Sequence, residues 1–389
     1  MRILSPTFKA ALKTSALSGL ALGASLMGHA SAQDLSRPDQ VFVFDRTGEI
    51  RAVSCEVQTD DLDQVVVTLR GNNKKYTSAK VSSVVFGTVP SSYRDAQSYE
   101  ARGDLDNALR QFRLAADDAE AREAVRAKAR FLAGKVLLKS AAGAPAATAY
   151  DDAVSEFDRF LSDFGTSRLV PQARQLGARA RLLSGKAQAS AELGAAVFGE
   201  LDATGKNAYT PALCLEAGLA GARAFLYAGD SASAETLYKS IQTQLTTMMA
   251  EAEGDERAAL DKYAQEALLG EGWQLLADGK AGQAASFFNG KLRGDLPASL
   301  RYNARLGYAE GLLGQKKYRE AQLEFAAVSG LDPSSRDDVA QALVGLARCS
   351  KSLADSDSDE RIKSWLESCT SQYGDTPAAQ TARELLANL

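Results

Sequence analysis

The feature that most narrows the fold is one order of residue types that recurs along the chain. A small residue is followed by a large apolar one, then by a glycine, then by alanine with an aromatic four residues beyond it. Ala96, Tyr99, Gly103, Ala108, Phe112 and Ala115 form one copy. Ala222, Phe225, Gly229-Asp230, Ala234 and Tyr238 form another, and Gly272, Leu275, Gly279, Ala284 and Phe288 a third. Small residues let two antiparallel helices approach closely, the aromatic fills the space between neighbouring hairpins, and glycine turns the chain at a helix C-terminus. The pattern therefore predicts an array of helical hairpins from Ser91 onward. Weaker copies surround Ala153 with Phe157, and Gly185. The second-helix alanines are about 37 to 50 residues apart, so some helices or loops are longer than a compact repeat requires. Ser140–Thr148 and Thr243–Asp255 are the expected places for the excess.

The stretch Asp39–Gly87 reads differently. Val41-Phe42-Val43-Phe44, Glu49–Gln58, Asp63–Arg70 and Lys74–Phe86 are rich in β-branched and aromatic residues. Their breaks fall at Asp45–Gly48 and Gly71-Asn72-Asn73, which is hairpin spacing. Four or five short strands predict a small SH3-like or Sm-like barrel, or a curled sheet packed on the first helix. A structural cap on the array is the expected role, with peptide binding as the other reading. The character changes at Val89-Pro90, which sets a boundary between residues 33–89 and 90–389.

The fullest copy, Tyr302–Ser335, contains Ala309, Leu312, Tyr318, Ala321, Phe325 and Pro333, and it strongly resembles the tetratricopeptide unit of about 34 residues. That resemblance implies a mainly α fold, a tetratricopeptide-like α-solenoid of six or seven hairpins in a right-handed superhelix, preceded by the small β-barrel-like module. It also implies that first helices line an inner groove. In that register the groove positions are Arg223, Trp273 and Glu310, one per successive hairpin, with Gln97 in the first. Trp and Arg are common binding hot spots, although the leading alternative is that Trp273 packs as core between hairpins. Ala153–Arg174 is similar to repeats of bacterial envelope-assembly and cell-division-coordination proteins, but Gly165 stands where those have proline.

The first 32 residues carry Arg2, Lys9 and Lys13 with no acid, then an apolar stretch from Ala16 to Met27, then Ala30-Ser31-Ala32. This is the pattern of a cleavable signal peptide, removed after Ala32. It predicts a periplasmic or otherwise exported protein with no integral membrane segment after cleavage. Gln33 follows the cleavage point, so no cysteine is placed to take a lipid. The one histidine, His29, lies in the leader. The mature chain would then hold no imidazole for Ser-His-Asp or Cys-His catalysis, nor for His-ligated metal. No cofactor is expected. A formal charge of −4 and no basic stripe argue against nucleic acid.

Cys55, Cys214, Cys349 and Cys369 form no C-x-x-C pair. An exported compartment permits disulfides, and Cys349 with Cys369, across a turn at Asp355–Ser358, is the candidate; four buried thiols are the alternative. Asp117-Asp118, Asp151-Asp152 and the acids of Asp355–Glu360 fall at expected helix starts or turns, where acids cap and complement the helix dipole. No phosphate loop and no G-x-S-x-G elbow occurs. The chain thus reads as a non-catalytic scaffold that binds a protein or peptide segment in the groove. The alternatives are a self-associating structural envelope protein, and a carbohydrate-active enzyme using groove carboxylates.

Overall fold

The structure is a computed structural model. It describes residues 37–45, 47–143, 148–201, 206–331, 335–354 and 358–389. The leader with His29, Pro333, and Asp355–Asp357 of the expected acidic turn lie outside the described residues.

Alternating burial along Val41, Val43, Val65 and Val67 marks strands with one face in a core. The strands are β1 (Asp39–Phe44), β2 (Ile50–Asp60), β3 (Gln64–Leu69), β4 (Asn72–Thr77) and β5 (Val81–Val85). They form one antiparallel sheet in the order β4-β3-β2-β1-β5. The long β2 pairs with β1 through its first half and with β3 through its second, so it is shared between two half-sheets. The β3–β4 turn is Arg70-Gly71, one residue earlier than the sequence pattern puts it, with φ of +52° and +80°. Leu69 pairs with Asn72 across it, the geometry of a two-residue hairpin whose central residues both take positive φ. The run Lys74–Phe86 is interrupted by a 3₁₀ turn, Ser78–Lys80, which sends β5 back to pair with β1.

Fifteen helices follow among the described residues. They pair as α1 (Ser91–Ala101) with α2 (Leu105–Asp117), α3 (Glu123–Ala142) with α4 (Ala149–Asp163), and α5 (Val170–Leu183) with α6 (Ala187–Gly199). Next come α7 (Pro211–Tyr227) with α8 (Ser231–Glu251), α9 (Gly254–Ala277) with α10 (Ala281–Arg293), and α11 (Ala298–Gly314) with α12 (Tyr318–Leu331). The seventh hairpin is α13 (Arg336–Leu353) with α14 (Ser358–Gln372), and α15 (Pro377–Ala387) ends the array. The helix α15 has Thr376 as its N-cap, whose hydroxyl oxygen accepts the Ala379 amide, and Pro377 in its first turn.

The repeat residues do what their types require. Ala96, Ala108, Ala222, Ala234, Ala284, Ala309 and Ala321 are fully buried, as are Phe112, Phe288 and Phe325. Gly103, Gly229 and Gly279 turn their hairpins at φ of +80°, +79° and +74°. Asp104 and Asp230, next in sequence, cap the second helices by accepting the amides of Asn107 and Ser233.

The sheet and the first helices share one core. Val41, Val57, Val65 and Phe86 pack with Tyr93 of α1, Phe112 of α2 and Val136 of α3. Asp39 and Arg122 lock this junction: Arg122 donates two hydrogen bonds to the carboxylate at 2.6 and 2.9 Å, and the amides of Val57 and Gly87 donate two more. The sheet also reaches further along the array. Asp60 pairs with Arg168 at 2.5 Å, the Leu62 amide donates to Thr166, and the Ala208 amide donates to Leu62. It therefore grips the loops that follow α4 and α6, beyond the end-cap role expected of it.

Candidate functional site

First helices α7, α9, α11 and α13 stand side by side on the inner face. They line a cavity of about 690 Å³, with Arg223 and Tyr227 from α7, Trp273 from α9, Glu310 from α11, and Gln341 and Arg348 from α13. Three expected groove residues, Arg223, Trp273 and Glu310, thus come together from successive hairpins. The fourth does not. Gln97 is exposed on α1, in the hairpin that carries the sheet, and is not part of this lining.

Trp273 has two faces with different work. Its ring meets Phe288 edge-on at 5.4 Å between centroids, anchoring α9 to α10, while the Arg223 guanidinium lies 5.0 Å over the ring. Its indole N–H donates to Asn303 at 2.9 Å. The Asn303 amide then donates to Asp338 at 2.9 Å, and the Ser335 hydroxyl donates to the other Asp338 oxygen at 2.7 Å. A polar chain therefore crosses α9, α11 and α13, and Trp273 both packs on Phe288 and borders the cavity.

Arg223 reaches Asp338 only at 4.0 Å. Burial works to lower its pKa, but Tyr227, Asp338, Tyr238 and Glu266 outweigh that and raise it, so it is a permanent cation. Glu310 accepts from Gln341 at 3.3 Å and from Arg348 at 3.4 Å. Burial raises the Tyr227 pKa against the pull of Arg223. Outside this lining, burial also raises the carboxyls of Glu216 and Glu266 above their ordinary range. Tyr263 donates to Glu216 at 3.1 Å and partly offsets this. The wall thus offers aromatic surface and an arginine with donors to spare.

Asn303, Asp338, Tyr227, Gln341 and Arg348 were not singled out from the sequence. A signal existed for some of them. Asn303 precedes Glu310 by seven residues and Arg348 follows Gln341 by seven, and residues seven apart share a helix face.

The remaining candidates have other settings. All four cysteines are buried free thiols. Cys349 packs with Leu306, Ala309 and Phe325, whereas Cys369 packs with Ala340, Ile362 and Ala379, so the two serve separate clusters rather than forming the candidate bridge. Burial pushes Cys349 up to about 11 and Cys369 up to about 12. Asp117 binds Arg130 and Arg159, Asp118 accepts the Glu120 amide, and Asp151 binds Lys186 at 2.8 Å. Asp359 and Glu360 sit in the first turn of α14.

The fold is mainly α, an array of antiparallel helical hairpins preceded by a small antiparallel sheet. No protein family and no curated protein matches the chain. A solved structure similar in shape is a tetratricopeptide repeat protein from Parabacteroides merdae ATCC 43184. It is 13% identical, with a TM-score of 0.49, over 77% of this chain and 98% of that one. Among the described residues, no helix is long and apolar enough to cross a membrane.

Proposed function

We propose that this protein is an exported, non-catalytic scaffold that binds a segment of another protein in the cavity at Trp273. The observation that carries the reading is the convergence of Arg223, Trp273 and Glu310, from three successive hairpins, on one concave wall. Half-buried aromatics beside an under-used arginine are the composition of binding hot spots. Export rests on the basic, apolar and Ala30-Ser31-Ala32 pattern of the leader, and places the partner in the periplasm or an equivalent compartment. Residues 33–89 form the β module and 90–389 the array, the module bracing the first hairpins.

The test is a pull-down from native envelope extract with Gln33–Leu389 as bait, and Trp273→Ala run beside it. Enrichment of one or a few proteins that the variant loses supports the reading. Retention of every captured protein by the variant removes Trp273 from the binding surface.

A further inference from the structure

Phe288 of α10 is wedged between the two helices that flank its own. A Cβ on Gly272 of α9 would stand 2.5 Å from its ring, and one on Gly307 of α11 would stand 2.3 Å from it. Both distances are too short for any side chain, so the fully buried ring lies against bare backbone on two sides. Trp273 follows Gly272 directly and meets this fixed ring edge-on, at 5.4 Å between centroids. Asn303 precedes Gly307 by about one turn of α11 and accepts the indole N–H at 2.9 Å. Adjacent turns of two helices thus supply both the surface Trp273 leans on and the partner for its one polar atom.

The chain beyond Trp273 can run in one direction only. An indole N–H donates and cannot accept, whereas a carboxylate accepts and cannot donate. Asn303 stands between the two, its side-chain oxygen accepting from Trp273 and its NH2 donating to Asp338 at 2.9 Å. An amide meets both demands at once, which an aspartate or a leucine of similar size does not. The Ser335 hydroxyl holds the other Asp338 oxygen at 2.7 Å. Asn303 and Asp338 are both buried. A reversed amide would set donor against donor at one end and oxygen against oxygen at the other, with little water to relieve either.

Trp273 lines the cavity, but neither Asn303 nor Asp338 does. The indole N–H is therefore spent on a buried partner outside the lining, and the cavity receives the ring. Arg223 lies 5.0 Å over that ring and 4.0 Å from Asp338, so one carboxylate faces both the arginine and the amide that holds the tryptophan. Hydrogen bonds to a ligand fall to side chains such as Arg223, not to the indole.

We propose that Asn303 and Asp338 are positioning residues of the cavity at Trp273. Asp338 fixes which end of the Asn303 amide faces α9, and Asn303 fixes the indole with its N–H turned out of the cavity. A bound segment then meets aromatic area already in place, which spares the cost of ordering that side chain on association. The gain in binding rests on the function proposed above; the pinning of the indole does not.

The chain has two tryptophans, so Trp365→Phe leaves Trp273 as the only indole and serves as the parent. The resonance and hydrogen-exchange rate of its N–H are read by NMR. Asn303→Leu removes the acceptor at similar size. Asp338→Leu and Asp338→Asn both remove the charge beside Arg223, but only the asparagine keeps an oxygen for the Asn303 amide. Exchange should be about fivefold faster in both leucine variants, the factor that one hydrogen bond of ordinary net strength amounts to, and near the parent rate in Asp338→Asn. Parent-like exchange in both leucine variants, with circular dichroism showing intact helix, would overturn the pinning. Equal acceleration in Asp338→Asn and Asp338→Leu would overturn the part given to Asp338. In the pull-down, the leucine variants should bind about threefold more weakly any protein that Trp273→Ala loses. Full retention by them would overturn the positioning role and leave the groove standing. Retention by Trp273→Ala itself would strike the groove, while the exchange rates still decide the pinning.

Discussion

At the scale of single residues, the protein departs from its own repeat where a side chain does a different job. Lys316 stands at φ +62° in the turn where Gly103, Gly185, Gly229 and Gly279 stand between +74° and +81°. The glycine signal is missing there, so the turn is legible only from the alanine and aromatic that follow it. Lys128 is a second departure. It donates to the Val84 carbonyl and lies 5.6 Å over Phe86, under the sheet. Burial first, then Arg168 and Lys135, lower its pKa to about 8 from 10.5, with Asp60 opposing. Below pH 8 both native and unfolded states carry the proton, and the full penalty of a buried charge is present. Between about 8 and 10.5 the unfolded chain still holds a proton that the native state has lost, so stability rises with pH across that window. Thermal melts of wild type and Lys128→Met should show wild type gaining on the variant over this range. Parallel curves would mean that the lysine is charged in the fold throughout.

At the scale of elements, the hairpins were legible because their signal is periodic and local. Small residues at contacts, aromatics between hairpins and glycines at turns are each fixed by neighbours a few positions away. What escaped was set by pairing across long separations. The junction of Asp39 with Arg122 joins residues 83 apart, and nothing near either position in sequence announces it. It matters because Asp39 is 3% exposed and accepts four hydrogen bonds. Burial works to raise its pKa, but Arg122 and the amides of Val57 and Gly87 prevail and lower it below 3.8. Its contribution to stability is therefore present above the unfolded carboxylate range, and is lost as pH falls through the lower native value. Asp39→Asn should cost about 3 kcal/mol at pH 7, because Arg122 keeps its charge without a counter-ion. The difference from wild type should shrink below pH 4. Urea melts at both pH values check this, and an equal loss at both would assign the effect to packing.

At the scale of the whole molecule, the repeat pattern predicts that each hairpin leans on its neighbours. It does not predict where the chain returns to itself, as where the Tyr150 hydroxyl donates to the Gly374 carbonyl at 3.0 Å, because that depends on small rotations summed over seven hairpins. The cavity at Trp273 was legible to the same extent. Arg223, Trp273 and Glu310 follow from register, whereas Asn303 and Asp338 become partners only when α9, α11 and α13 are placed side by side. Gln97 lies apart from that cavity because it belongs to the first hairpin, three hairpins before α7.

The hold of the sheet on the loops after α4 and α6 has a mechanical consequence. It staples the early hairpins into a stiff block and leaves those from α9 onward as a compliant arm, joined hairpin to hairpin by apolar packing. Stretched from Arg37 and Leu389 in a single-molecule pulling experiment, the protein should yield in two regimes. The arm should peel first, hairpin by hairpin, at low force, and the stapled block should then rupture in one larger event. A single rupture for the entire chain would mean that the sheet carries no more load than an ordinary hairpin junction.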